Sequence, residues 1–197
     1  MRGALVAVIV LIVVVVGVVM WGVRVQNDLV RLEQDVNEKW AQVQNVYQRR
    51  ADLIPNLVET VKGFAAQERT VLTEVTQARA SASSIKLTPE ALNDPQAMQK
   101  FAAAQGQLSG ALSRLLVTVE RYPELKSNQN FLTLQSQLEG TENRITVERQ
   151  RYNEAVRNYN TRLRTFPASL VAGMMGFRPK AFFEAAPGSE TAPKVKF

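Results

Sequence analysis

The chain of 197 residues contains no cysteine and no histidine. Without cysteine there is no disulfide, no thiolate nucleophile and no zinc–thiolate site. Without histidine there is no Ser-His-Asp triad, no imidazole metal ligand and no imidazole general base. Any enzyme built here would have to work with carboxylates, lysine or tyrosine. The missing cysteine leaves the compartment open, since a cysteine-free chain suits either side of a membrane. Strand-like alternation is also missing, and no basic run exceeds two residues. With Arg2 set aside, 23 basic residues are interleaved with 18 acidic ones. A solvated surface of mixed charge accounts for that pattern better than nucleic-acid binding does.

Charge is absent altogether from residues 3–23 (GALVAVIVLIVVVVGVVMWGV), a run of 21 residues between Arg2 and Arg24. As a helix it covers about 30 Å, the thickness of a bilayer's hydrocarbon core. A cleaved signal peptide is the rival, but its apolar core is usually about 7–15 residues and precedes a small-x-small site. Here the run ends in Met20-Trp21-Gly22-Val23-Arg24, where Trp21 beside Arg24 reads as an interfacial anchor. The expectation is a single uncleaved transmembrane helix over residues 1–23. Arg2 and the α-amino group stand before it; Arg24, Arg31 and Lys39 follow it. That count leans weakly to a cytoplasmic C-terminal domain and decides little.

Glycine and proline are absent from Val23 to Ile54. Leu29, Leu32, Val36, Trp40, Val43 and Tyr47 recur there at helical spacing, so anchor and first helix could form one rod. Pro55, with Asp52 as N-cap, predicts the first turn of a second helix; a kinked continuous helix is the alternative. The second seam runs Leu57, Val61, Phe64, Glu68, Val71, Val75 and Ala78. Asp94-Pro95 predicts the cap and first residue of a third helix, with Phe101, Leu108, Leu112, Leu115, Val119 and Tyr122 on its seam. In the fourth, Phe131, Leu138, Ile145, Tyr152, Tyr159 and Phe166 fall at strict intervals of seven, which implies supercoiled packing against neighbours. Four helices near 24–50, 52–82, 95–121 and 127–166, with short joins, predict an all-α antiparallel up-down bundle of long helices over 24–166. Residues 167–184 are apolar and expected to cap the bundle, with contact to a membrane surface or partner as the alternative. Residues 185–197 are expected to be disordered.

Candidate chemistry is sparse. Gly106 and Gly110 sit in a helical pattern and not in a phosphate-binding loop. Ser81, Ser83 and Ser84 lack a base. Glu68, Glu142 and Glu148 lie on or beside seams, but di-metal bundles use Glu-x-x-His, so ion pairing of Glu68 with Arg144 or Arg149 is the simpler expectation. Trp40, Tyr152, Tyr159 and Phe131 are expected as core, with an aromatic ligand pocket as the alternative. Around Gln48–Asp52, Arg49 and Arg50 would complement the dipole at the end of the first helix and Asp52 that at the start of the second.

The segments RRADLIPNLVETVKGFA (Arg49–Ala65), NDLVRLEQDVNEKW (Asn27–Trp40), TQAR (Thr76–Arg79), YPELKSNQNFLTLQSQLEGTENRI (Tyr122–Ile145), RQRYNEAVRNYN (Arg149–Asn160) and FPASLVAGMMGF (Phe166–Phe177) closely resemble the LemA family, in order and over nearly the whole chain after the anchor. Gln67 departs from it, since many members have histidine there. The resemblance implies a membrane-anchored helical bundle with no established enzymatic reaction. It also implies roles in bacterial membrane and envelope processes, including magnetosome formation in one branch. Some relatives look lipid-anchored on the exported side, which leaves orientation open. The expectation is therefore a non-enzymatic, single-pass scaffold of the bacterial inner membrane, acting through helix faces. Its expected partners are the lipid bilayer, other membrane proteins or a second copy of itself, with no cofactor, metal or nucleic acid. A membrane-tethered sensor holding a small ligand between helices is the alternative. Candidate interaction or structural residues are Arg49, Arg50, Asp52, Asn56, Lys62, Glu68, Arg79, Glu142, Arg144, Arg149, Asn153 and Asn160. Candidate core residues are Trp40, Phe64, Phe131, Leu138, Ile145, Tyr152, Tyr159 and Phe166.

Overall fold

The computed structural model describes residues 2–184, so the expected disorder of 185–197 lies outside the described residues. All regular structure among them is helical: α1 (Arg2–Phe64), α2 (Arg69–Ser84), α3 (Pro95–Val119), α4 (Pro123–Lys126), α5 (Gln129–Arg164) and α6 (Ala168–Met175). A short 3-10 turn, Ala91–Asn93, precedes α3.

The apolar N-terminal run and the helix expected after it are one rod of 63 residues, about 95 Å long. Its first part is long and apolar enough to cross a membrane, and that window is 0% buried. The expected break at Pro55 does not occur. A proline inside a helix removes the N–H that would serve the carbonyl four residues earlier, here Ala51. Arg79 of α2 replaces it: its Nε donates to the Ala51 carbonyl at 2.6 Å. Supplied with an outside donor, the helix runs on to Phe64, and the turn falls at Ala65–Glu68 instead.

The later helix starts follow the sequence closely. Asp94 Oδ1 accepts from the Gln96 N–H at 2.8 Å, with Pro95 as the first residue of α3. Asn128 Oδ1 accepts from the Phe131 N–H at 3.1 Å and starts α5. Arg162 and Arg164 occupy the last turn of α5, where the helix dipole favours cations. Gly176, at φ +74°, ends α6 in the left-handed conformation that glycine adopts without a Cβ clash. After it, Phe177–Glu184 runs as an extended strap back along the helices.

In two helix pairs, the partners' residue numbers rise along one helix and fall along the other. Between α1 and α5, Asp28 meets Arg162 at 3.2 Å, Trp40 meets the Tyr152 ring at 5.5 Å, and Arg50 meets Glu142 at 2.9 Å. Between α2 and α3, Glu74 pairs with Arg114 and the Ala82 carbonyl accepts from Gln105 at 3.5 Å, and just outside the two helices Glu68 meets Arg121 at 3.1 Å.

The apolar interior forms two clusters. One joins Val25, Leu29, Val36, Trp40, Val43 and Tyr47 to the second half of α5, to the start of α3 and to the strap. The other joins Ile54, Leu57 and Val61 to α2, to the rest of α3 and to Phe131. Of the expected core, Trp40, Phe131, Ile145, Tyr152 and Tyr159 are buried, and Leu138 is half-buried against the second cluster. Two assignments are corrected. Phe64 is 42% exposed, because the buried line Leu57–Val61–Ala65 turns it off the core face. Phe166 is 76% exposed, because α5 ends at Arg164 and the sevenfold line stops with it.

Candidate functional site

Arg50 lies between the two apolar clusters and is 2% exposed. It does not sit at a helix end, because α1 is continuous there; the expected dipole roles of Arg49, Arg50 and Asp52 are corrected accordingly. Its Nη1 donates to Ser109 Oγ and to Glu142 Oε2, each at 2.9 Å. Its Nη2 bonds the Gln105 side-chain carbonyl and reaches the Gln105 main-chain carbonyl at 3.4 Å. The guanidinium stands 5.1 Å from the Tyr47 ring centroid, an arrangement that attracts cation to ring face. Helices α1, α3 and α5 thus share one buried polar layer. Burial raises the Tyr47 hydroxyl above its ordinary range, against the pull of Arg149 and Arg50.

Beside this layer opens a cleft of about 640 Å³. Arg50, Tyr47, Met98, Ala102, Gly106, Ser109 and Ile145 line it within the helices; Glu142, Arg149, Phe182 and Glu184 complete its wall. Its charged groups are two cations and two anions, with Gln99, Gln105 and Ser109 as further polar lining among the apolar side chains. Phe182 and Glu184 belong to the strap, so the C-terminal segment forms part of the wall.

The strap is held by its main chain. Asn153 takes the Phe183 N–H at 2.8 Å and gives to its carbonyl at 2.9 Å. One sevenfold step later, Asn160 does the same at Lys180, with both bonds at 2.9 Å. The hydroxyls of Tyr152 and Tyr159 donate to the carbonyls of Ala181 and Arg178, each at 3.0 Å. Lys180, almost wholly buried, pairs with Glu33 at 2.8 Å. Arg149 stacks 4.8 Å from the Phe183 ring centroid. An aromatic pocket at Trp40 and Tyr152 is therefore closed off, since Phe101 and Phe183 pack against them with ring centroids 5.4–5.8 Å away, and Tyr159 is fully buried with its hydroxyl on the strap.

The other candidates are placed elsewhere. Glu68 stands before α2 and not in it; it accepts from Tyr122 Oη at 2.7 Å and pairs with Arg121, so the expected partners Arg144 and Arg149 are corrected. Gln67 donates to Tyr122 Oη at 3.0 Å. Glu148 pairs with Arg151 at 2.8 Å. Asp52 accepts from Gln48, and Lys62 pairs with Glu59 on exposed helix surface. Arg49, Asn56 and Arg144 are exposed. Among the described residues, no three acidic side chains gather in a group suited to a metal ion.

Sequence reasoning missed Gln105, Ser109, Lys180 and Glu33. A signal existed for the first: Gln105 interrupts the apolar seam of α3 between Phe101 and Leu108. Arg50 itself falls on the strict line Leu29, Val36, Val43, Arg50, Leu57, where only a charge with buried partners can sit. Nothing in the sequence marks Lys180 as buried.

Compared with known protein families, residues 39–197 match the LemA family. A comparison with curated proteins finds no match.

Proposed function

The chain belongs to the LemA family, and from that premise we propose that it is a membrane-tethered, non-enzymatic binding protein that holds a small ligand between its helices. The observation that carries the reading is the cleft of about 640 Å³ beside Arg50. Apolar walls with a few convergent polar groups are the ordinary form of a small-molecule site. Arg50 and Glu142 are already paired with each other, so the charges left in the wall are Arg149 and Glu184, which suit a small zwitterion with apolar bulk, such as an apolar dipeptide. The apolar start of α1 is the tether, and its length and composition support a single bilayer crossing. We place it in the bacterial inner membrane, with the flanking charges favouring a cytoplasmic body. We read that body as an antiparallel four-helix bundle, supported by the opposed directions of the α1–α5 and α2–α3 contacts. Scaffolding through helix faces has less support. On the long helices beyond the uncharged run, the exposed large apolar side chains Val30, Phe64, Val117, Leu132 and Val147 are spread over three helices.

Gly106 gives a clean test. It lines the cleft, and a Cβ added there meets nothing within 4 Å. Gly106→Phe should fill the cleft without a backbone clash, and losing a mid-helix glycine adds helix propensity. A panel of apolar dipeptides is screened by thermal shift on the full chain in detergent. A binder present at about 100 Kd raises stability by about 2.7 kcal/mol. The expected result is a shift in the wild type and none in Gly106→Phe, whose own melting point is unchanged or higher. Equal shifts in both proteins, or none in the wild type, would reject the proposal.

A further inference from the structure

Helix α6 turns Ala168 and Ala172 into the core beside Val25 and Leu29 of α1. Its opposite face is apolar and open: Leu170 is 59% exposed, Met174 89% and Met175 53%, and Phe166, in the turn just before the helix, is 76% exposed. Leu170 and Met174 stand four residues apart, on one side of the helix. No residue of Ala168–Met175 carries a charge. An exposed apolar face of this kind marks a contact surface.

Its place in the fold says what covers it. The Arg162–Asp28 ion pair, at 3.2 Å, pins the end of α5 to α1. Asp28 lies five residues beyond Val23, the last residue of the uncharged run, or about 7 Å along the helix axis. A bilayer's polar layer extends about that far beyond its hydrocarbon core. Arg24, Arg164 and Arg178, all exposed, flank α6 in the manner of cations around an interfacial helix.

We infer that α6 lies in the headgroup layer of the bilayer that α1 crosses, with Phe166, Leu170 and Met174 against the acyl chains. The inference rests on the anchor reading of α1. The body is then held by two attachments, a spanning helix and a surface helix on the same side. It stands at a fixed angle to the membrane, because α6 is joined to α1 through Ala168 and Ala172 and cannot swing independently.

The cysteine-free sequence makes single-site labelling direct. Met174→Cys, Val10→Cys and Val117→Cys are each made in the full chain, labelled with bimane, and reconstituted into vesicles of phosphatidylcholine and phosphatidylglycerol carrying nitroxide lipids. Val10 reports the span; Val117, 72% exposed near the far end of α3, reports water. The expected result is strong quenching at Val10 and Met174, with Met174 quenched more by shallow than by deep nitroxides, and little at Val117. Quenching at Val10 with Met174 behaving like Val117 would overturn the inference and leave the anchor standing. Absence of quenching at Val10 would overturn both. Disulfide-linked dimers through Met174→Cys without lipid quenching would assign the face to a second copy instead.

Discussion

Pro55 and Arg79 should be energetically coupled across two helices. The Ala51 carbonyl is buried, with Ala51 7% exposed, and it has lost its normal donor to proline. Arg79 Nε fills the gap at 2.6 Å. Removing that donor with Arg79→Met leaves a buried acceptor unserved, which costs about 1–3 kcal/mol. Pro55→Ala restores an N–H at the right place, so in that background the same substitution should lose most of its cost. A coupling of about 1–2 kcal/mol is expected between the two sites. Proline also lowers the entropy of the unfolded chain by about 0.4–1 kcal/mol, but this is common to both arms and cancels in the cycle. The assay is urea unfolding of the four full-length proteins in one detergent. Additivity within about 0.5 kcal/mol would refute the reasoning, since Arg79 would then be stabilising α2 by other contacts.

The Arg50 layer should respond unequally to loss of its two charges. Glu142→Ala leaves a buried guanidinium without its counter-charge and should cost about 3 kcal/mol by chemical unfolding, whereas Arg50→Met should cost less, because the Glu142 side chain is 52% exposed and can turn to water. Asn153→Ala and Asn160→Ala each remove a pair of main-chain bonds to the strap; each should cost about 1–3 kcal/mol and speed proteolytic cleavage near Arg178 and Lys180. Stability should also fall in alkali. Burial pushes the Tyr159 hydroxyl up to about 12, and Tyr152 and Tyr47 shift the same way, while the unfolded chain ionises near 10. Between those values the unfolded state holds fewer protons, so stability drops by up to about 1.4 kcal/mol per pH unit for each of Tyr152 and Tyr159, and Tyr47 acts in the same direction. Denaturant midpoints and tyrosinate absorbance measured together should show it, with a shallower slope in Tyr152→Phe.

What was legible in the sequence was whatever the helix imposes locally. The α5 line Phe131, Leu138, Ile145, Tyr152, Tyr159 repeats because one side of a long helix meets α1 throughout, and α3 and α5 begin at Asp94 and Asn128, where a side-chain oxygen serves an open N–H. What was misread depended on residues far along the chain. Pro55 obeys the breaker rule until Arg79, brought in by the α1–α2 turn, supplies the missing bond. The strap has no period to read, since its order comes from Asn153 and Asn160 on another element. Arg50 shows how the two kinds of information meet. A charge on a seam of Leu and Val is locally wrong, and it is tolerated only where Gln105, Ser109 and Glu142 converge on it. Those partners come from two further helices, so their convergence fixes the register of three helices at one level. Sliding α3 or α5 by one turn, about 5.4 Å, would strand the guanidinium. The cleft opens at that level, where the two apolar clusters give way to a polar layer. The residue that breaks the sequence pattern is therefore the one that locates both the alignment of the helices and the space between them.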